Sequence, residues 1–359
     1  MFAVFCNFKC SYSKMYFTIQ NNLLSVLSMT RGPLGLLKHF KNNLQSCHCP
    51  NTRKFSFDPV NIFDRNAKRI QRERAANSQD VELYDYIKDE VGYRLADRVF
   101  DVKKKFNVCV DLGASRGFVS KHILADTVEH LIMCEMSPTM LKQAESTPGV
   151  KVTKTEVDEE VFSENIADES VDLVISNLSL HWINDLPGCF VRIMKCLKPD
   201  GVFMASLFGG ETLYELRSAL HLAEMERKGG ISPHISPFAH IRDIGGLLNR
   251  AGFTMLTIDT DEIVVGYPSM FELMWDLKGM AENNAAFNRS LHLYRESLIA
   301  ASAIYDDMYK KPDGGVSATF QVIYLVAWKP SPNQPKALPR GSGKVSLKDL
   351  DKVVEGKIK

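Results

Sequence analysis

Acidic residues are missing from the first 57 positions of this 359-residue chain, although 43 occur in the chain as a whole. Seven lysines and arginines lie in the same stretch, among many serines, asparagines and large apolar residues. Such a basic, acid-free segment is typical of a mitochondrial presequence, and it lacks the compact apolar core of a secretory signal. We expect cleavage between residues 31 and 57. A disordered basic tail is the alternative interpretation of residues 1–57.

The sequence also lacks any run of 18 uninterrupted apolar residues, so it predicts no transmembrane helix, and any membrane association is expected to be peripheral. Without residues 1–57 the net charge is about −6, which argues against a nucleic-acid-binding protein. The cysteines beyond residue 57 form no pair of C-x-x-C motifs, so a zinc site is not expected. We interpret them as buried small apolar residues. They are Cys109, Cys134, Cys189 and Cys196.

Hydrophobic periodicity divides the rest of the chain into three parts. Residues 58–106 contain few helix breakers and are predicted to form an N-terminal helical segment. From residue 107, short apolar runs alternate with helical segments, which predicts a doubly wound α/β domain with a mostly parallel sheet over residues 107–330. Residues 331–359 lack aromatic residues and are predicted to be a disordered tail. The apolar residues at helical spacing in the first part are Leu83, Ile87, Val91, Leu95 and Val99.

Two helices are predicted around the second strand. The first covers residues 118–126, directly after the first strand. The second begins at Pro138, with Ser137 as its N-cap, because proline is favoured in the first helical position and serine just before it. Further on, residues 210–250 are predicted to form helices that are interrupted by a loop over residues 229–238.

The run D-L-G-A-S-R-G, residues 111–117, closes the first predicted strand. A glycine-containing turn at this place brings backbone N–H groups and a helix N-terminus close to a ligand at the carboxyl edge of the sheet. Gly113 and Gly117 would allow that close approach, because a side chain would block it. A plain strand-to-helix turn would show the same pattern.

Carboxylates follow the next strands at corresponding positions. Glu135 ends the second strand and could accept hydrogen bonds from both hydroxyls of a ribose. Asp158, with Glu159, ends the third strand and could accept one from an adenine amino group. We place Asp172 at the end of the fourth strand. Each acid alone is also typical of a solvated strand end, but together they favour a cofactor site. The predicted cofactor-binding residues are Asp111, Gly113, Ser115, Gly117, Glu135, Met136, Asp158, Glu159 and Asn177.

This order of motifs resembles the class I S-adenosylmethionine-dependent methyltransferases, over roughly residues 60–330. The resemblance rests on the turn at 111–117, the acids after strands two and three, and L-K-P-D-G at 197–201. It implies bound S-adenosyl-L-methionine and the strand order 3-2-1-4-5-7-6, with the last strand antiparallel. The methyltransferase turn usually has glycine where Ser115 stands. A positive φ there would cost serine about 1 kcal/mol, unless its hydroxyl binds the ligand.

Longer motifs resemble the mitochondrial complex I assembly factor 5 family. That resemblance implies a methyltransferase-like protein on the matrix face of the inner membrane, which hydroxylates an arginine of an iron–sulfur subunit of complex I. The motifs are F-D-R at 63–65, the run at 177–187, G-G-E-T-L-Y-E-L-R at 209–217, G-G-I-S-P-H-I-S-P-F at 229–238 and D-T-D-E-I at 259–263.

The group that would activate oxygen is not visible in the sequence. The spacing of His181, His221, His234 and His240 does not favour a metal site, so no metal is predicted and the oxidant stays unknown. His181 and His234 are weak candidates for catalysis or substrate contact; packing beside a core tryptophan is the alternative for His181. Three other acids could pair with a substrate arginine or lie on the surface. They are Glu211, Asp261 and Glu262.

Three functions therefore remain open. The first is an arginine hydroxylase. The second is an S-adenosylmethionine-dependent methyltransferase that acts on a small molecule or a protein. The third is a non-catalytic assembly factor that keeps the fold as a binding module. The apolar residues of one stripe are predicted to belong to the core, and a contact face for a partner, formed by Trp275 with Met270 and Met274, is the alternative. The stripe consists of Phe271, Leu273, Met274, Trp275, Leu277 and Met280.

Overall fold

The computed structural model describes residues 61–312, 314–336, 340–343 and 346. The predicted presequence lies outside these residues, and so does most of the predicted tail. Within the tail, Gln334 accepts a hydrogen bond from Thr254 (3.2 Å) and donates one to Asp200 (3.1 Å). The division of the chain at residues 57 and 330 stays a prediction.

A single sheet of seven strands organises the described residues, in the order β3-β2-β1-β4-β5-β7-β6. Strand β7 runs antiparallel to both of its neighbours, whereas the other pairings are parallel. This is the class I methyltransferase topology, so the expected fold and strand order are confirmed. The strands are β1 Phe106–Leu112, β2 Val128–Glu135, β3 Lys151–Glu156, β4 Val171–Asn177, β5 Leu197–Phe208, β6 Thr254–Tyr267 and β7 Val316–Trp328.

Two hydrophobic cores cover the two faces of the sheet. On β4, Leu173 and Ile175 belong to one core and Val174 to the other, as the alternation of side chains along a strand requires. Helices α2, α5, α7 and α8 pack on the first face, and α4 and α6 on the second. The helices are α1 Arg65–Ala76, α2 Tyr86–Asp101, α3 Pro138–Gln143, α4 Leu186–Cys196, α5 Tyr214–Lys228, α6 Ile241–Ala251, α7 Met270–Gly279 and α8 Arg295–Tyr309.

The N-terminal segment is helical, as predicted, but it consists of two helices. Asp64 caps α1 by accepting a hydrogen bond from the N–H of Ala67 (2.9 Å), and a short 3₁₀ turn at Val81–Tyr84 separates α1 from α2. Leu83 lies in that turn and is 71% exposed, so the helical spacing predicted from Leu83 onward begins only at Ile87. The stripe is confined to α2, where Ile87, Val91, Leu95 and Val99 are at most 1% exposed.

The helix predicted over residues 118–126 is not present, and turns fill the space between β1 and β2. Helix α2 passes so close that a Cβ added at Gly92 would lie 2.6 Å from the carbonyl oxygen of Phe118. The segment instead closes tight local turns, such as His122 N–H to Val119 O (2.9 Å), and buries Val119 and Ile123. Tertiary packing therefore overrides the helical pattern here.

The helix predicted from Pro138 is confirmed, because the Ser137 hydroxyl accepts from the N–H of Met140 (3.3 Å). The loop between α5 and α6 also lies where it was expected. Helix α8 was not predicted; its buried side includes the small residues Ala300 and Ala301, which produce a weak hydrophobic pattern. No helix in the described ranges has the length and apolar character needed to cross a membrane.

Candidate cofactor and substrate site

The turn after β1 has the backbone conformation that its glycines suggest. Gly113 and Gly117 have φ angles of +74° and +84°. A Cβ at Gly113 would lie 2.2 Å from Ser179 Oγ, and one at Gly117 would lie 2.2 Å from the carbonyl oxygen of Glu145. Ser115, with φ +51°, also has left-handed geometry. The position therefore carries the conformational cost expected for a residue other than glycine.

Asp111 is buried at the start of this turn. Its Oδ2 accepts a hydrogen bond from the Ser120 hydroxyl (2.6 Å), whereas its Oδ1 has no partner among the described residues. Burial raises the pKa of Asp111 to about 7, although the bond from Ser120 opposes that shift. The carboxyl group is consequently poised to hold a proton near neutral pH.

Glu135 joins the end of β2 to the turn. Its fully buried carboxylate accepts from the N–H of Ser115 (2.9 Å to Oε2) and from the N–H of Ser137 (3.1 Å to Oε1). Met136 lies next to it and is 4% exposed. The predicted strand-two acid therefore does lie against the predicted turn.

Arg72 of α1 occupies the space between the two acid positions. Its Nη1 lies 3.0 Å from Glu135 Oε1 and 2.5 Å from Glu159 Oε1. Its Nη2 donates to Ser179 Oγ (2.9 Å), and that hydroxyl donates to Glu159 Oε1 (2.7 Å). Burial alone would raise the pKa of Glu159, but Arg72 and Arg65 outweigh it and hold that pKa well below its usual range.

Arg65 extends the same network to Asp158. Its Nη2 donates to Asp158 Oδ1 (2.6 Å) and also pairs with Glu159. Arg65 and Arg72 were not among the predicted site residues. They are seven residues apart, which places them on one face of α1 two turns apart. That spacing is the signal in the sequence that could have found them.

Two predicted positions lie elsewhere. Asn177 ends β4, but its Oδ1 accepts from Ser206 Oγ (2.7 Å) and its Nδ2 donates to the carbonyl oxygen of Lys88 (2.9 Å). It therefore ties β4 to β5 and α2. Asp172 is the second residue of β4, so its placement at the end of the strand was wrong. It pairs with Lys198 (2.9 Å) at the opposite edge of the sheet.

A cavity of about 350 Å³ lies beside the arginine network. Gln71 and Arg74 of α1 line it, as do Trp182, His234 and Glu282. Apolar side chains from α5, the 229–240 loop and α7 form much of the remaining wall. Because it combines apolar walls with a few polar groups, the cavity has the character of a ligand site.

A buried polar cluster supports one wall of this cavity. Glu282 Oε1 lies 3.0 Å from Lys88 Nζ, and its Oε2 accepts from Trp182 Nε1 (2.8 Å). His181 Nε2 lies 3.3 Å from the same Oε2. The His181 ring also packs against the rings of Phe208 and Phe238. Burial lowers the pKa of His181, even though Glu282 opposes that shift. The ring is therefore neutral and packs behind the cavity wall.

A family model described as a methyltransferase domain matches residues 110–205. The Arginine-hydroxylase NDUFAF5, mitochondrial, of Danio rerio is 48% identical over 296 residues, which cover 82% of this chain and 91% of that protein. The chain belongs to the NDUFAF5 family. The Dictyostelium discoideum member is 43% identical over 317 residues, or 83% of this chain and 73% of its own length. A malonyl-[acyl-carrier protein] O-methyltransferase of Gallionella capsiferriformans is 30% identical and covers 76% and 93% of the two chains.

The part matched by the methyltransferase model contains β1 to β5 up to residue 205, and with them the turn and the strand-end acids. Arg65 and Arg72 lie before it, and much of the cavity wall lies after it. The two arginines and much of the cavity wall thus lie outside the residues that the methyltransferase model matches.

The remaining candidates are dispersed. His234 lines the cavity, with its Nε2 2.9 Å from Glu224 Oε1. Asp261 forms an ion pair with Arg94, and neither Glu211 nor Glu262 lines the cavity.

The apolar group on α7 is divided between core and surface. Met270 is fully buried, whereas Trp275 is 62% exposed. The predicted core stripe is therefore confirmed for Leu273, Leu277 and Met280, which are buried, and wrong for Phe271 and Trp275, which are exposed. No group of three histidine, cysteine or acidic residues within the described ranges is placed to hold a metal ion.

Proposed function

We propose that this chain is a mitochondrial arginine hydroxylase in complex I assembly, and that it holds S-adenosyl-L-methionine at the rim formed by the turn and the strand-end acids. The observation that carries the proposal is the 48% identity to proteins named Arginine-hydroxylase NDUFAF5, mitochondrial, over most of both chains. The acid-free basic segment at residues 1–57 independently supports a mitochondrial location. The resemblance of the motifs supports the matrix face of the inner membrane, with peripheral attachment.

The donor set of the rim suits the cofactor. Glu135 would accept hydrogen bonds from the ribose hydroxyls, and the backbone of the turn at Gly113 would lie along the aminoacyl part. Asp158 would accept a hydrogen bond from the adenine amino group. When bound, the cofactor supplies an electrophilic methyl group on a sulfonium centre. The free Oδ1 of Asp111 is a buried acceptor at the same turn.

The guanidinium of Arg72 would compete with a ribose for Glu135, because both would bond to the same carboxylate. We infer that helix α1 covers the rim in this state, where Arg65 and Arg72 hold the Glu159 carboxylate ionised. The apparent affinity for the cofactor is the affinity of the open molecules multiplied by the fraction of molecules in which the cover is open.

The substrate is proposed to be an arginine of an iron–sulfur subunit of complex I, following the resemblance of the motifs at 209–217 and 229–238. Hydroxylation adds one oxygen atom to the side chain and requires an oxidant. His181 and His234 stay candidates for contact with the substrate, and His234 lines the cavity.

Methyl transfer is the second candidate function. It is favoured by the 30% identity to malonyl-[acyl-carrier protein] O-methyltransferases, which extends over 93% of one such protein. A third outcome, binding without catalysis, would follow if the cover formed by α1 never opened.

Mass spectrometry separates the three functions. The full-length mature protein is incubated with the iron–sulfur subunit, S-adenosyl-L-methionine and oxygen in a mitochondrial matrix extract, and the arginine peptides are weighed. A gain of one oxygen atom supports hydroxylation, and a gain of one methylene unit supports methyl transfer. An unchanged subunit that remains bound supports a non-catalytic assembly factor and contradicts the proposal.

Calorimetry tests the cofactor assignment separately. Glu135→Gln is expected to lose at least about tenfold in affinity for S-adenosyl-L-methionine, because a charge-assisted hydrogen bond is replaced by a neutral one. Glu129→Gln is the matched control, since Glu129 lies on the same strand and is exposed. Equal affinities in the two variants would contradict the proposed role of Glu135.

A further inference from the structure

The cavity beside the rim is built for a ligand of a particular chemistry. Its volume of about 350 Å³ falls in the range of small-ligand sites. Leu216 of α5, Phe238 of the loop and Met274 of α7 provide apolar walls. These walls suit a chain of methylene groups.

Two buried polar atoms on the cavity wall have no hydrogen-bond partner among the residues that the structure describes. They are Gln71 Oε1 and Ser236 Oγ. Ser236 is only 3% exposed. Gln71 uses its Nε2 to donate to the carbonyl oxygen of Asn284 (3.1 Å), which fixes the amide and leaves the oxygen free. Buried polar atoms are almost always paired in folded proteins, so these two atoms indicate an absent partner.

The free groups mainly accept hydrogen bonds. An amide oxygen accepts only, and a serine hydroxyl accepts as well as donates. A partner that presents N–H donors at the end of an apolar stem would therefore satisfy both atoms. A guanidinium has five N–H donors and no acceptor, which matches this requirement.

The cations around the cavity are already engaged. Arg74 donates to Asn283 Oδ1 (3.2 Å), and Arg289 donates to Asp64 Oδ2 (3.1 Å). Lys88 is paired with Glu282. Asp64 and Glu282 neutralise Arg289 and Lys88, and Arg74 is exposed to solvent, so these cations are compatible with a cationic ligand.

We propose that this cavity binds the side chain of the substrate arginine, with its methylene groups between Leu216 and Phe238 and its guanidinium at Gln71 and Ser236. This inference rests on the proposed hydroxylase function and names the subsite for its substrate. Because Gln71 immediately precedes Arg72 in α1, the same helix that covers the rim also contributes to the arginine subsite.

Calorimetry with capped tripeptides tests the subsite in the full-length mature protein. The probes are acetyl-Gly-Arg-Gly-amide and the versions with lysine, citrulline or glutamate in place of arginine. The arginine peptide is expected to bind at least about tenfold more tightly than each of the others, because only it offers five charge-assisted donors. Equal binding of the arginine and citrulline peptides, preference for glutamate, or no binding of any peptide would overturn the proposal.

Substitutions of Gln71 and Ser236 test whether the arginine peptide binds in the cavity. Gln71→Leu and Ser236→Ala are each expected to weaken the arginine peptide about five- to tenfold and to leave the lysine peptide less affected. Gln143→Leu is the control for the first, because Gln143 Nε2 also donates to a backbone carbonyl (3.0 Å) but lies outside the cavity. Ser218→Ala is the control for the second, because Ser218 is a half-buried serine of α5 outside the cavity.

The outcomes distinguish the subsite from the function. If the two cavity variants hydroxylate the iron–sulfur subunit with an unchanged KM, the subsite is wrong and the hydroxylase function stands. If the arginine peptide binds selectively and depends on Gln71 and Ser236, but no oxygen is ever added, the subsite stands and the proposed reaction is wrong.

Discussion

Arg72→Leu removes the guanidinium that two buried carboxylates share. Leucine keeps part of the apolar volume, but Glu135 and Glu159 are then left buried without their common partner. Breaking a buried ion pair from one side typically costs about 3–5 kcal/mol, because the remaining charge stays desolvated. We expect the free energy of unfolding of the variant to fall by that amount at pH 7.5.

The pH dependence of the free energy of unfolding provides a second test of the same network. In the wild-type protein the pKa of Glu159 is depressed, so its contribution to stability is present above the unfolded pKa of about 4.3 and is lost only as the pH falls through the lower folded value. Without Arg72 the pKa of Glu159 is lowered less strongly, although Arg65 and the Ser179 hydroxyl still lower it. The variant should therefore lose less stability than the wild type as the pH falls below about 4.3, and the difference between their free energies of unfolding should narrow there.

Urea denaturation followed by tryptophan fluorescence at several pH values measures both effects. Arg69→Leu is the matched control on the same helix, because Arg69 is exposed and its one hydrogen bond to a described residue is a 3.4 Å bond to Asn66. It should change stability by less than about 0.5 kcal/mol. A difference of less than about 1 kcal/mol between Arg72→Leu and wild type, or a gap that does not change with pH, would refute the buried network in solution.

Two further predictions concern the turn after β1. Gly113→Ala is expected to lower the free energy of unfolding by about 2–5 kcal/mol, because the residue has a positive φ and the new Cβ would meet Ser179 Oγ. Gly229 has a φ of +67°, and a Cβ added there would have no atom within 4 Å, so Gly229→Ala tests the backbone strain alone. It should lower the free energy of unfolding by only about 1 kcal/mol in the same urea titration. Equal losses in the two variants would contradict the steric argument. Asp111 has its pKa raised to about 7 by burial, so the folded state binds a proton that the unfolded state releases near pH 4. Stability should therefore decrease by about 2–3 kcal/mol between pH 5 and pH 8 on account of this group. Asp111→Asn should remove that part of the slope in pH-dependent denaturation, and an unchanged slope would show that the carboxyl is hydrated.

Local patterns in the sequence were sufficient for most elements of the sheet. Strands β1, β2 and β4 contain short apolar runs, the N-cap at Ser137 is a local signal, and the order of the strands follows from the family resemblance. Parallel strands end at the same edge, so Glu135 and Glu159 had to approach the turn at Gly113. The predicted position of Asp172 was wrong, because an acid within a short strand does not reveal which end of that strand it occupies.

Contacts between distant segments could not be derived in this way. Arg72 meets Glu159 across 87 residues of chain, and nothing local to either residue specifies the other. The cavity likewise joins side chains from α1, α5, α7 and two loops. The absence of a helix over residues 118–126 depends on the approach of Gly92 from α2.

The amino-acid sequence by itself thus determined the doubly wound sheet and the acids along its carboxyl edge, since both follow from periodicity and from chain order. Only the tertiary structure decided that α1 inserts two arginines between those acids and that Gln71 and Ser236 face a common cavity. The physical reason is that a buried charge or polar atom is stabilised by whichever partner the fold brings within about 3 Å, and that partner is chosen by packing and not by distance along the chain.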